Sequence, residues 1–246
     1  MELARIVSRF DIPGNFLSAV PHGSGHINDT YLVETEQGGR KVRYIVQRIN
    51  RRVFHNPAAF MGNIQRVLSH LQKKMSDLPP LEISRRVLSL VPARTGEGFW
   101  QDEEGEVWRA YRHIEGTRSF DVAQSPRQAY EAARAFGAFQ RMLMDLPPPP
   151  LLETLPNFHD TPHRFQALVR AVENDSKNRA SETKTEIEFC LSRLSLSGSL
   201  ARLKEVGALT ERTIHNDTKL NNVLLDEKTG EGLCVIDLDT VMPGLG

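Results

Sequence analysis

Along this chain the apolar positions change their spacing partway, and the change marks two regions. Leu3, Ile6, Val7 and Phe10 fall on one helical stripe, which predicts a short amphipathic helix at the N-terminus. From Ser18 to Asn50 the pattern turns strand-like: TYLVET and VRYIVQRI are rich in β-branched and aromatic residues, and Gln37-Gly38-Gly39 suits the tip of a hairpin between them. A helix follows with a marked start. Asn56 can cap it, Pro57 suits its first turn, and Phe60, Met61, Ile64, Val67, Leu68 and Leu71 line one face. Strand signals return in RRVLSLVPA and in EVWRAYRHI, around a charged, glycine-containing turn. After Gly116 the character becomes helical. Ser125-Pro126 opens a helix carrying Ala129, Ala133, Phe136, Phe139, Leu143 and Leu146, and the prolines of LPPPPLL end it. Thr161-Pro162 and KTEIEFCLSRLSL mark two more helices, and VLLD and LCVID read as short strands joined by EKTGEG. A β-rich first half thus meets a helical second half near residues 113–117, which predicts an α+β, two-lobed protein with a cleft at the junction.

Composition narrows the class without naming a task. The 246 residues carry 31 basic and 31 acidic side chains, so bulk charge does not argue for nucleic acid as a partner. No apolar run reaches the ~18–20 residues of a membrane helix, and the first residues lack the core of a signal peptide. Two cysteines, Cys190 and Cys234, give no disulfide framework. These features predict a soluble, cytoplasmic protein with neither nucleic-acid nor membrane partners. His159 and His163 have i,i+4 spacing, but Pro162 between them reads as a helix start rather than a zinc site.

The chemistry is concentrated near the end, in Thr213-Ile-His-Asn-Asp-Thr-Lys-Leu-Asn-Asn-Val-Leu-Leu-Asp226 and Cys234-Val-Ile-Asp-Leu-Asp-Thr240. Asp217 lies two residues after His215, two before Lys219 and five before Asn222, and Asp237 arrives after a strand, a turn and a second strand. Phosphoryl transfer needs such a set. One carboxylate accepts or orients a hydroxyl proton, an amide oxygen and another carboxylate hold Mg²⁺ against nucleotide phosphates, and a lysine neutralises the transferred group.

HNDTKLNN followed by VIDLD resembles the catalytic loop and metal segment of the protein-kinase-like superfamily, and its Asp-Leu-Asp form resembles the aminoglycoside phosphotransferase and choline kinase branch. Within that branch GHINDTY, YIVQRIN, the following helix and VIDLDTVMPG are most similar to N-acetylhexosamine 1-kinases. The resemblance implies a β-rich nucleotide-binding lobe over residues 1–112, a hinge at 113–116 and a mainly helical catalytic lobe over 117–246. It implies ATP and Mg²⁺ as cofactors and a small-molecule hydroxyl as acceptor, the anomeric one of an N-acetylhexosamine first, with aminoglycoside, choline or homoserine as runners-up. Asp217 matches the catalytic base and Lys219 the lysine facing the terminal phosphate. Asn222 and Asp237 match the metal ligands, Asp239 is a further candidate for a second ion or its water, and His215 matches a residue that braces the loop. Gly23, Ser24, Gly25, His26 and Asn28 match the phosphate-covering loop, where small residues let backbone N–H groups approach closely.

Two departures accompany the resemblance. Aligning Tyr44-Ile45-Val46-Gln47 with V-A-I-K puts glutamine where a lysine grips the phosphates, and the helix over 57–75 contains no acid to pair with one. Gln47 or the adjacent Arg48 is left to meet phosphate, although on a regular strand the two face opposite sides. The absence also leaves open a nucleotide-binding module without catalysis. Tyr-Arg-His-Ile-Glu-Gly, residues 111–116, resembles the hinge, with backbone groups at Arg112, His113 and Ile114 set to pair with adenine. Family members continue past the equivalent of Gly246, so a catalytic lobe that is incomplete is also expected.

Overall fold

The structure is a computed structural model and describes residues 2–23, 25 and 27–245. Its elements run α1 (Glu2–Val7), β1 (Asn15–Pro21), β2 (Asp29–Gln37), β3 (Arg40–Ile49), α2 (Pro57–Lys74), α3 (Pro80–Arg86), β4 (Leu90–Val91), β5 (Trp100–Gln101), β6 (Val107–Arg112) and β7 (Thr117–Arg118). They continue with α4 (Pro126–Met142), α5 (Thr161–Asn174), α6 (Lys184–Leu191), α7 (Leu194–Ser197), α8 (Ser199–Glu205), β8 (Glu211–Ile214), β9 (Val223–Asp226), β10 (Gly232–Val235) and β11 (Met242–Leu245). The mixed α+β, two-lobed arrangement expected from the pattern is present. An antiparallel sheet ordered β1-β2-β3-β6-β4, with β5 also on β6, forms the first lobe.

Strand alternation sorts this sheet into two faces. Val33, Val46, Trp108 and Ala110 pack with Ile6, Val7 and Phe10 from the region of α1. On the opposite face Ile45, Ile49, Val107 and Tyr111 join the larger core that includes α2 and the second lobe. Gln47 and Arg109 belong to that inner face, because β3 and β6 pair in register with Gln47 directly opposite Arg109. The inner face rests on α2, which forms as its sequence dictates. Asn56 accepts a hydrogen bond from the Ala59 N–H at 3.1 Å, Pro57 occupies the first turn, and all six stripe residues are buried. Each such side chain contributes about 1.5–3 kcal/mol by leaving water.

Four expectations need correction. RRVLSLVPA does not run as a strand: Pro80 at the first helical position opens α3, which carries Arg85 and Arg86, and only Leu90–Val91 pairs in the sheet. Strand pairing also continues past Gly116, since β7 joins β9 and β10 in a small second sheet. A further pair, β8 with β11, frames the segment from His215 to Val241 and went unread, because ERTI and MPGL are short and carry weak strand signals. Finally, α4 keeps Phe136, Phe139, Leu143 and Leu146 of its predicted stripe against the core, but Ala129 and Ala133 are exposed and Ala132 and Ala135 face inward in their place. The hairpin β9–β10 sets that choice in the first half of the helix. It packs so close that the Gly232 N–H donates to Glu131 Oε2 at 3.0 Å, and Glu131 also pairs with Arg134.

Helices α6, α7 and α8 contribute no buried residue, and Phe189, Leu194, Leu196, Leu200 and Val206 are exposed. No helix among the described residues is long and apolar enough to cross a membrane.

The α4–hairpin contact yields two substitutions of opposite sign. A Cβ at Gly232 would stand 2.6 Å from the Glu131 carbonyl oxygen and 3.0 Å from Ala135 Cβ, so Gly232→Ala is expected to destabilise the fold by about 1–3 kcal/mol. At Gly137, in the exposed interior of α4, a Cβ meets nothing within 4 Å, and Gly137→Ala should stabilise by about 0.5–1 kcal/mol. Urea titrations read both as opposite shifts of the unfolding midpoint with unchanged slope; shifts of the same sign would contradict this packing.

Candidate active site

The segment after β8 is shaped by its own backbone demands. His215 is buried, and its Nδ1 accepts from the Asp217 N–H at 3.3 Å while its Nε2 donates to the Ile236 carbonyl at 2.8 Å. The two contacts fix the tautomer, because Nδ1 must be the acceptor. Burial holds the imidazole below its ordinary pKa, against the upward pull of the Ile236 hydrogen bond and of Asp217. Phe136 and Phe139 meet the ring edge-on at 5.3 and 5.9 Å. His215 therefore braces the loop. Asn216 stands in the left-handed region at φ 64°, which asparagine tolerates better than most side chains. Its amide donates to the carbonyls of Thr240 and Met242 at 3.0 and 3.2 Å, tying the loop to the strand after the second motif. From outside, His159 Nε2 donates to the Asn216 carbonyl at 2.7 Å. The histidine that reads as a mere helix neighbour in the sequence thus steadies this turn.

Asp217, Lys219 and Asn222 converge. Asn222 Nδ2 donates to Asp217 Oδ2 at 3.1 Å and to the Asp217 carbonyl at 2.9 Å, and Lys219 Nζ lies 3.0 Å from the same Oδ2. Asn222 is buried, and these contacts use its nitrogen and leave its Oδ1 out of them. Lys219 keeps about half of its side chain in solvent. Asp237 follows β10 in the left-handed region, at φ 59° and ψ 57°, a strained conformation for a non-glycine residue. Burial, with Asp239 and Asp217 nearby, pushes its carboxyl up to about 6, while Arg109 and Lys219 pull the other way.

Asp239 has a different occupation from the one expected. Its carboxylate is almost wholly buried; Oδ1 pairs with Arg109 Nη1, and Oδ2 accepts from Asn28 Nδ2 at 2.7 Å. Both carboxylate oxygens thus meet protein donors, one from each side of the site. Among the described residues no group of three or more His, Cys, Asp or Glu stands together as a cation cage.

The register question between Gln47 and Arg48 has a clear geometric answer. Gln47 faces the interior, where Oε1 accepts from Arg109 Nε at 2.8 Å and Nε2 donates to Thr30 Oγ1 at 2.9 Å. Arg48 faces away and pairs with Asp29 on the outer side. The cation on the inner face is Arg109, which sequence reading passed over as one residue of a strand. Burial works against its charge, but Asp239 and Tyr111 outweigh it and the net shift is upward.

The remaining candidates separate. Gly23 is exposed with φ 81° and Gly25 is exposed, while Ser24 and His26 lie outside the described residues. Asn28 is brought to the site by its bond to Asp239, and its Oδ1 accepts from the Asn50 N–H at 3.0 Å. At the hinge, three of the backbone groups are already paired within the protein. The Arg112 N–H already donates to the Ser89 carbonyl at 2.9 Å and that of His113 to the Arg43 carbonyl at 3.1 Å. Ile114 is buried, and its carbonyl accepts from Thr117 Oγ1 at 2.7 Å. Those groups are spent on the sheet and the turn rather than presented to a ligand.

Comparison with known proteins bears on the fold and the family. The structure is similar to that of an aminoglycoside phosphotransferase from Alicyclobacillus acidocaldarius subsp. acidocaldarius DSM 446, with a TM-score of 0.58 and 16% identity; the match takes in 98% of this chain and 66% of that one. A choline kinase from Cryptosporidium parvum Iowa II is similar at a TM-score of 0.49 and 15% identity, over 95% of this chain and 61% of the other. The likeness at such low identity is one of fold. The sequence itself matches the family model described as the phosphotransferase enzyme family across residues 18–245, from the first sheet strand to the last strand of the catalytic segment. With nearly its whole length so matched, the chain belongs to the phosphotransferase enzyme family.

Proposed function

We propose that this protein transfers the γ-phosphate of ATP to a hydroxyl of a small molecule. The observation that carries this reading is the convergence of Asn222 and Lys219 on one oxygen of Asp217, with Asp237 partly buried at the end of the neighbouring strand. Asn222 and Lys219 hold Asp217 Oδ2, which leaves Oδ1 to take the proton of the acceptor hydroxyl. The freed oxygen then attacks the γ-phosphorus, the bond to the bridging oxygen breaks, and ADP leaves with that electron pair. Lys219, half in solvent, meets negative charge on the transferred group.

The residues fit one divalent cation. A carboxylate whose charged form is disfavoured by burial and then by Asp239, and an amide oxygen left out of the loop contacts, are the two hard-oxygen donors, Asp237 and Asn222. Mg²⁺ accepts so few protein ligands because waters and substrate phosphates complete its shell. When bound, it supplies positive charge against the nucleotide phosphates. As acceptor we propose the anomeric hydroxyl of an N-acetylhexosamine, on the strength of GHINDTY, YIVQRIN and VIDLDTVMPG; ³¹P NMR with a panel of amino sugars, aminoglycosides, choline and homoserine distinguishes it from the alternatives.

Two outcomes follow. Asp217→Asn keeps the size and the contacts to Asn222 while removing the proton acceptor, so kcat should fall by roughly 10²–10⁴ with nucleotide affinity little changed. Near-normal turnover at saturating acceptor would remove Asp217 from the role of base.

For Asp237 the sign runs through its raised pKa. An unfolded aspartate titrates near 3.9 and the folded one at about 6, so between those values the folded protein binds the extra proton. This group's contribution to apo stability therefore falls as pH rises through that window. Asp237→Asn should raise the apo melting temperature above pH 6, by roughly 2–8 °C, while weakening Mg²⁺-ATP binding. In the parent, the Mg²⁺-ATP affinity should drop below about pH 6 with a proton-linked component that the variant lacks. Calorimetry in buffers of different ionisation enthalpy reads that component, and equal proton release by parent and variant would contradict the assignment.

A further inference from the structure

Gln47 supplies no charge, and α2 supplies no acid, yet the inner face of the sheet holds a buried cation on β6. Arg109 is 1% exposed. It sits directly across from Gln47, whose side-chain oxygen holds its Nε. Its guanidinium lies 5.9 Å from the centre of the Phe60 ring and 5.3 Å from that of Tyr111, so α2 contributes an aromatic face where a carboxylate is absent. The remaining tie is to the Asp239 carboxylate, which presents to Nη1 an oxyanion of the kind a phosphate also offers. Asn28, from the end of the glycine-containing loop, closes over that carboxylate from the other side.

A buried pair of this kind is a poor device for stability alone, since well-packed apolar residues of similar volume often do as well or better. A guanidinium held by three fixed neighbours, with one anionic partner beneath the phosphate-covering loop, suits ligand recognition. Its charge is permanent and its fork matches phosphate oxygens. Arg48 cannot serve, because it lies on the outer face with Asp29.

We propose that Arg109 is the cation that receives the nucleotide phosphates at this site, with Asn28 as the cover that yields when they enter. The inference rests on the nucleotide reading above and adds to it the residue that reads phosphate charge. In the free protein Asp239 neutralises Arg109; with nucleotide bound, phosphate oxygens share that role.

The test measures ATP and adenosine affinity in EDTA, so that no metal-mediated contact enters. Arg109→Gln removes the charge, and Arg109→Gln/Asp239→Asn removes both members of the pair and leaves no lone buried charge to unfold the protein. Both are expected to weaken ATP binding about 10- to 100-fold, the range for a lost charge-assisted contact, with adenosine unchanged. Gln47→Lys/Arg109→Gln returns a cation from the facing strand and should recover most of the lost ATP affinity. The inference is overturned if ATP affinity in the folded double-neutral variant stays within about threefold of the parent, or if ATP and adenosine weaken together, as a purely structural role requires. A parent protein that binds neither ligand would instead overturn the nucleotide reading itself, and this inference with it.

Discussion

The arrangement of the site depends on one buried contact between a guanidinium from the first lobe and a carboxylate from the second. Arg109 and Asp239 are 1% and 3% exposed, and each would be costly to leave alone in that place. That cost enforces a mutual position. β6 must bring Arg109 to the inner face, and the turn after β10 must deliver Asp239 beneath it. Gln47 and Asn28 complete the shell, so the residue that leads into β2, the sheet and the second motif share one set of hydrogen bonds. Other ion pairs of the first lobe, with the hinge through Arg43 and Glu115 or with the second lobe through Lys74 and Asp145, lie in solvent and constrain far less.

A second constraint acts within the catalytic segment. Asn216 and Asp237 both adopt left-handed backbone, which costs free energy for side chains other than glycine. The surroundings over-determine both turns. His215 bonds across from one segment to the other, Thr240 Oγ1 donates to the His215 carbonyl at 2.6 Å, and Asn216 donates twice to the strand that follows Asp239. The strain is held by hydrogen bonds whose geometry also sets the separation of Asp217 from Asp237. His159 adds a support from the loop before α5, outside the motif altogether.

What the sequence disclosed divides along the same line. HNDTKLNN and VIDLD are local, and their residues meet because short turns leave them little choice; Asp217, Lys219 and Asn222 were legible for that reason. The helix at Asn56-Pro57 was legible because cap, first-turn proline and stripe agree. Arg109 was not, since within EVWRAYRHI it is one polar letter in a strand, and its meaning comes from the pairing of β3 with β6, a tertiary fact. The same holds for Asp239, whose spacing suggests an ion but whose oxygens are claimed by residues 130 and 211 positions away. On α4 the phenylalanines and leucines of the stripe were legible and two alanines were misread, because Ala129 and Ala133 satisfy a helical period as well as Ala132 and Ala135 do. Only the close approach of Gly232 decides between them. At the hinge, glycine and strand end were visible, whereas the loss of the Arg112 and His113 N–H groups to Ser89 and Arg43 was not.

Asn63 shows how the lobes are kept in register without charge. It is buried on α2, and its amide nitrogen donates to the carbonyls of Leu152 and Val241 while its oxygen accepts from the Leu152 N–H at 3.0 Å. One side chain thereby ties the first lobe to the end of the proline-rich connector and to the residue just after the second motif. Its satisfied donors and acceptor make it specific, because any sliding of α2 would leave polar groups unpaired in the interior. Arg109 and Asn63 lie on different elements of the first lobe and both reach residues 239–241. Two independent anchors on so short a segment fix its orientation as well as its distance. Asp237, two residues before the first anchored position, inherits that orientation, which is how its strained backbone is held in one conformation at the end of β10.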